Sequence, residues 1–596
     1  MSVSPADKSS DVVKLSIFID GNQMNEAYQV VSVSVVHAIN KIPYAKVTLL
    51  DGDMPDQDFP ISNSADFLPG SEIKINAGYG QDEETIYQGI VIKHGIKVSG
   101  NNNSTLIIEC RDKAVAMTVG RKNANYIDSN DSDIISSILA TYSGLTADVE
   151  ATETVYKEQV QFYCTDWDFM LTRAEVNGQL VCVESGKISV KAPQTDAVAE
   201  LKVTYGEDLI EFNAEVDART QLLDVSSVSW DPNEQQAIAE NAGQQTLNTQ
   251  GDLTAKDLAA VLDVKTFRLQ SSVKMEKSAL KAWATAQQVK AGLAKIRGRM
   301  KFQGSALATI GSMIELDGVG NRFNGSVFVS SVTHDVSGGN WLSEVEFGMS
   351  ADWFAEQKNL VAPSASGFIP GIEGLQIGVV MKLDEDPETQ HRVQVAVPTL
   401  QAETEGVWAR LANIYASNTF GVFFVPEIGD EVVLGYLNND PSNPVILGSL
   451  YSSKNTPPYE LTADNFIKSI VTKSQLKIEF DDEKKITTIM TPGNNKVVLS
   501  DDEESILLQD QNDNNIELNA DGIVLDSPKD IKITAKGKIS IDATGELGIK
   551  SAADVVIEGM NITQTANTGF TAKGNASAEL SASGQTTIKG AMVMIN

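Results

Sequence analysis

Apolar residues fall on alternate positions through most of the chain, which is the period of a β-strand with one buried face. Leu15, Ile17 and Ile19 alternate before Asp20-Gly21, Val31, Val33 and Val35 alternate next, and the run 47–50 ends at Asp51-Gly52. Residues 73–75, 86–91 and 106–108 continue in the same manner and predict a β-barrel or sandwich. The period changes at 166–176, where Phe169, Met170 and Ala174 share a helical face. Asp166 is the predicted N-cap, Asp168 lies in the first turn, and Asn177-Gly178 is the stop. Strands return at 180–183 and 188–190. Residues 233–251 are rich in Gln, Asn and Ala and predict an excursion from the core. The longest helix is expected at 277–296, where Leu280, Trp283, Ala286, Val289, Leu293 and Ile296 recur every three or four residues. Strands resume over 298–347, and His334 among them reads as a structural histidine with no partner motif.

Pro, Ser and Gly cluster at 362–374, which predicts a linker after a first region of 1–361. Residues 375–460 are again all strand and about the size of a five-stranded Greek-key barrel. Residues 461–525 read as a meander, with strands at 486–490, 497–499, 506–508, 516–518 and 523–525 between acidic or Asn-rich turns. From 526 to the C-terminus the chain settles into blocks of eight: DIKITAKG, KISIDATG, ELGIKSAA, DVVIEGMN. Each block carries two apolar residues one apart, namely Ile531 and Ile533, Ile539 and Ile541, Leu547 and Ile549, and Val555 and Ile557. Thr563, Thr565 and Thr571 keep the register, and Leu580 and Ile588 resume it shifted by one residue. A fixed period implies a stacked architecture. Eight residues span only about 26 Å, one side of a small triangular prism, so one chain cannot close it. Three chains wound together can, with the apolar pairs as needle core, each block climbing ~4.8 Å, for a needle roughly 50 Å long. A flat meander of short hairpins would instead leave those residues wet and its edges open.

Composition narrows the partners. Lys and Arg total 47 against 80 Asp and Glu, a net charge of −33, which argues against nucleic-acid backbones. Residues 1–13 have neither a cationic start nor an apolar core, and no run approaches ~18 apolar residues, so neither a secretory signal nor a membrane span is expected. Synthesis and assembly in the cytosol follow as the expectation. Cys110, Cys164 and Cys182 are an odd count without a CxxC and read as buried thiols.

The segment from Val407-Trp408-Ala409-Arg410 through Phe423-Phe424-Val425-Pro426-Glu427-Ile428-Gly429-Asp430-Glu431-Val432-Val433 to Asn439-Asp440-Pro441-Ser442-Asn443-Pro444-Val445-Ile446-Leu447-Gly448 resembles the OB-fold of VgrG proteins, the tip spikes of type VI secretion and related contractile injection systems. Trp408, Pro426, Gly429, Asp430, Asp440, Pro441 and Gly448 carry that motif, and their residue types suit tight turns, a structural role. Upstream, Asp166-Trp167-Asp168-Phe169-Met170, Arg322-Phe323-Asn324-Gly325, His334 and Trp341 are similar to the hub of the same family and of phage tail proteins. The resemblance implies a mainly β fold. Two related, hub-like β-barrels with a few helices would occupy 1–361, an OB-fold collar 375–460, and a meander 461–525 would lead into a trimeric intertwined β-helix at 526–596. It also implies a homotrimer adapting a hexameric tube and baseplate proteins to a threefold needle that leads, punctures a target membrane, carries effectors and is secreted or injected on firing. The machine would be type VI secretion, a free extracellular injection particle or a phage tail. The needle's end, Met592, Val593, Met594, Ile595 and Asn596, must be covered, and a PAAR-like tip protein is the expected partner.

No enzyme is expected. Between residue 459 and the first needle strands there is no room for a ~50-residue domain, and the sequence ends on its last repeat. The acidic runs at 481–482, 501–504 and 510–515 lack the EF-hand spacing and fall where hairpin turns are expected. The last histidine is His391, so no tip metal is expected, nor any cofactor. A polysaccharide-cutting tailspike needs a cleft that eight-residue blocks leave no room for. An OB-fold that binds single strands needs more cations than Lys382, Arg392, Arg410 and Lys454 supply.

Overall fold

Strand alternation becomes sheet in two lobes. The computed structural model describes residues 2–8, 12–100, 103–243, 245, 247–400 and 406–595. It divides into two compact units, Met1–Leu450 and Tyr451–Asn596. In the first lobe the strands Val13–Ile19, Val30–Ala38, Tyr44–Leu50, Glu72–Tyr79, Asp82–Ser99 and Asn103–Arg111 bury Ile17, Val33, Val47, Ile75 and Ile108 on one face. Asp20 and Gly21 both take positive φ, +47° and +83°, as a two-residue hairpin turn requires. Asp51-Gly52 is not such a hairpin. The buried Asp51 carboxylate accepts the N–H groups of Gly52, Ile61 and Ser62, and so pins the following loop.

The second lobe uses Leu201–Thr204, Leu209–Val216, Ile296–Gln303, Met313–Asp317, Gly325–Ser337 and Asn340–Phe347, around Met300, Phe302, Val327, Val345 and Phe347. The lobes keep separate cores but share one thirteen-stranded sheet, because Gly325–Ser337 pairs antiparallel with Val30–Ala38. His334 lies on that seam, fully buried, with Nδ1 2.9 Å from Ser343 Oγ and its ring against Trp341.

Among the described residues four α-helices accompany the sheet: α1 (Asp131–Leu139), α2 (Asp166–Val176), α3 (Ala255–Leu262) and α4 (Lys277–Leu293). Three sequence expectations are corrected here. Thr165, not Asp166, caps α2, accepting the Asp168 N–H at 3.1 Å. Asp166 is instead buried in the first turn, where Lys122, Tyr142 and Gln161 all donate to its carboxylate. α4 stops at Leu293, and Ile296 opens a strand. Within 233–251, Gln236–Asn241 is no excursion. It pairs with Val225–Asp231, whose other edge takes Phe267–Ser271, and this small sheet packs on α4.

The strands Gln376–Lys382, Val393–Ala396, Val407–Leu411, Glu431–Tyr436 and Pro444–Ser449 close into a barrel around Val380, Val395, Ala409, Val432, Leu434 and Ile446. The second unit opens with a seven-stranded antiparallel meander: Ile467–Val471, Lys477–Asp481, Ile486–Met490, Lys496–Ser500, Ser505–Gln509, Asn515–Asn519 and Gly522–Asp526. Among the described residues, no strand follows Asp526. No described helix is long and apolar enough to cross a membrane.

Candidate functional site

The meander carries one bare apolar face. Its strands are five residues each, so the second and fourth residues of every strand point the same way. Strand register stacks them into two rows. One runs Ile470, Ile478, Ile489, Val497, Leu508, Ile516, Leu525, and beside it, after the charged Lys468 at its head, lie Phe480, Thr487, Leu499, Ile506, Leu518 and Ile523. Ile478 is 36% exposed and Ile523 72%, and the other apolar residues fall between, apart from Val497, which like Thr487 is partly covered. The opposite face is more polar, with Glu479, Thr488 and Glu517 at strand centres. A contiguous apolar face of this kind is rare on a monomer and marks an interaction surface.

Three of the turns holding this face are built from the acidic runs. Asp510 accepts the N–H groups of Asn512 and Asn514 and the Asn514 side-chain amide, bonds that hold its carboxyl down at about 2. Asp481 accepts from the Glu483 and Lys484 N–H groups. Among the described residues no cluster of three or more His, Cys, Asp or Glu has metal-binding geometry.

Beyond Pro528 every described residue to Ile595 is exposed. Ile531, Ile533, Ile539, Ile541, Leu547, Ile549, Val555 and Ile557 range from 51% to 75%. Met592, Val593, Met594 and Ile595 are likewise bare, and Asn596 lies outside the described residues. Among the described residues, these side chains lie in no buried core and their backbone joins no strand ladder. A segment of Ile and Val with neither core nor ladder has nothing to offset its ordering entropy.

The residues of the OB motif act through the backbone. Gly429, at φ +92°, donates its N–H to Val380 O (2.9 Å), and Asp430 O accepts the Val380 N–H (3.0 Å). The Asp430 carboxylate accepts the Glu427 N–H, with Pro426 buried beside this turn. Asp440, next to Pro441, accepts from the Ser442 N–H and the Asn443 amide ahead of the last barrel strand. Trp408 sits opposite Gln394 in the barrel wall, and Gly448, opposite Val433, has open space where a Cβ would go. The three cysteines are free thiols, and burial pushes Cys110 up to about 12 and Cys182 to about 11.

Two features escaped the sequence reading. The meander's bare face was signalled by second-and-fourth alternation in consecutive five-residue strands. A loop between the third and fourth barrel strands exposes Ile414, Tyr415, Phe420, Phe423 and Phe424. Its signal was the absence of any charged residue from Leu411 to Pro426.

Comparison with known proteins agrees with this geometry. Residues 9–338, more than half of the chain, match the family described as the Alg8 N-terminal domain. Residues 376–451 match the type VI secretion system/phage-baseplate injector OB domain. The chain is 37% identical over 62 residues to the type VI secretion system spike protein VgrG1a of Pseudomonas aeruginosa, a stretch covering 10% of each chain. It is 32% identical over 111 residues to VgrG2a of the same organism, covering 17% of this chain and 13% of the relative. This chain belongs to the Alg8 N-terminal domain family. Its barrel matches the type VI secretion system/phage-baseplate injector OB domain. The matched stretches span only about a tenth of the VgrG relatives' length. Among solved structures, the chain is similar to a tail protein from Neisseria meningitidis (TM-score 0.42, 12% identity, 58% of this chain and 98% of that one). It is also similar to the Francisella PdpA-VgrG complex (TM-score 0.38, 11% identity, 87% and 80%).

Proposed function

We propose that this chain is a VgrG-family spike and that three copies assemble through the meander face and the eight-residue blocks into a rigid needle that works mechanically, without catalysis. What carries the reading is the double row of half-exposed apolar residues from Ile470 to Leu525, continued by the exposed Ile, Leu and Val pairs from Ile531 to Ile557. A threefold braid covers both at once and supplies each unpaired strand with neighbours from other chains. Burying a bare Ile or Leu in this way contributes ~1.5–3 kcal/mol per side chain, which accumulates over many residues.

In this reading residues 1–361 form the hub that meets a hexameric tube and baseplate proteins, and the OB barrels form a collar. The needle punctures a target membrane and carries effectors when the apparatus fires, leaving the producing cell. A PAAR-like tip protein covers Met592 to Ile595. The deciding experiment is the mass of the purified full-length chain in solution. Three times 64.1 kDa is the expected value, and a stable, folded monomer would overturn the proposal. Removing the residues after Gly590 should abolish recovery of the tip protein in a pull-down, and equal recovery with and without them would refute the tip assignment.

A further inference from the structure

The loop joining the barrel strands Val407–Leu411 and Glu431–Tyr436 is nineteen residues long, where barrel connections are usually about 4–6. It is not slack chain. Ser417 N–H donates to Phe420 O and Val422 N–H to Tyr415 O, both at 2.9 Å, closing a small hairpin. Gly421, at φ +148°, permits the closure, since a Cβ there would lie 2.5 Å from Tyr415 O. The hairpin and the strand after it are therefore a formed arm, yet what they display is apolar. Ile414 is 96% exposed and Phe423 87%, with Tyr415, Phe420 and Phe424 all above half.

The same barrel carries a second apolar surface on its outer wall. Ile377 and Met381 point outward from the strand Gln376–Lys382, and Leu447 lies over Gly435 two strands away, all three exposed. Two different apolar patches on one barrel make a head-to-tail contact, and such a contact closes into a ring when the rotation per copy divides the circle. Only residues 450–466 separate the last barrel strand from the first needle strand, a tether of on the order of 55 Å fully extended. Once three needles are braided, each barrel is held at high effective concentration beside two identical barrels.

We infer that the arm around Ile414, Phe420 and Phe423 of one barrel docks on the Ile377, Met381 and Leu447 wall of the next copy, so that three OB barrels lock into a ring by exchange of arms. The inference rests on the threefold reading above and adds to it the surface and the partner. The occupant is a second copy of this chain, which offers an uncharged arm an apolar wall.

Paired cysteines test it. In the full-length chain carrying Phe423→Cys and Met381→Cys, mild oxidation should give covalently linked chains running at three times the single-chain mass on a denaturing gel. Chains with either substitution alone should stay uncrosslinked. A trimer by mass in solution that yields no such ladder, or only a bond within one chain, overturns the arm exchange and leaves the threefold needle standing. A monomer by mass removes both. As an independent measure, Ile414→Asp with Phe423→Asp should leave the trimer mass unchanged while raising hydrogen exchange at Met381 and its neighbours at least several-fold, and unchanged exchange there counts against the contact. Both substituted residues are almost fully exposed, so folding of the barrel is not at stake.

Discussion

Glu175 on α2 shows how single charged groups hold the first unit together. Its side chain pairs with Lys290 of α4 and accepts the Phe354 N–H at 2.7 Å, with both charged groups largely buried. Replacing one partner of such a pair strands the other, at a cost of about 3–5 kcal/mol. Glu175→Ala should therefore lower the thermal transition of the first unit and open the segment around Phe354 to proteolysis, and unchanged cleavage there would count against the pairing. His334 contributes to the acid behaviour of the fold. Burial, and secondarily the charge of His37, pushes it down to about 3, below the ~6.5 of an unfolded histidine. Between those values the unfolded chain binds a proton that the folded chain refuses, so stability falls as pH drops from about 6.5 towards 3 and levels off below. The fall in melting temperature between pH 7 and pH 4.5, followed by tryptophan fluorescence, should be smaller in His334→Gln than in the parent, and equal falls would exclude this histidine as a cause.

At the scale of elements, the meander makes the sharpest test because neighbouring residues face opposite ways. Leu508→Asp places a charge on the bare face and should shift the full-length chain from trimer towards monomer at micromolar concentration. Thr488→Asp, on the other face, should leave the mass unchanged, and identical behaviour of the two would sink the assignment of faces. The meander was legible in the sequence because short apolar runs recur at close spacing and five of its six turns are marked by Asp, Asn or Gly, the exception being 472–476. α1 was not, since Asp131-Ser132-Asp133 and Ser136-Ser137 hide its Ile134, Ile135, Ile138 stripe, and α3 is only eight residues long. Gln236–Asn241 reads as linker because its alternation is made with alanine, which carries little hydrophobic signal. The cap of α2 was misplaced by one because Thr165 and Asp166 both suit the role, and only the folded chain reveals that Lys122, Tyr142 and Gln161 claim the aspartate. The apolar arm was missed because its exposed residues look like a strand's buried ones.

At the scale of the whole molecule, the proposed trimer of chains of −33 would carry a net charge of −99. Salt screens such repulsion, with a Debye length of about 30 Å at 0.01 M falling to about 8 Å at 0.15 M. Trimer dissociation by urea should accordingly need more denaturant at the higher ionic strength, and an unchanged or lower midpoint would show that charge does not oppose assembly. The meander has one more consequence. Blocks of eight are nearly interchangeable, so three bare repeats laid together can slip by a whole block and still match. The meander's connections run five, four, five, four, five and two residues, a sequence that coincides with itself in a single alignment. Its hairpins are closed by hydrogen bonds within one chain. In the proposed trimer it would act as an indexing key: three copies mated with these unequal connections in step would set the register of the repeats behind them.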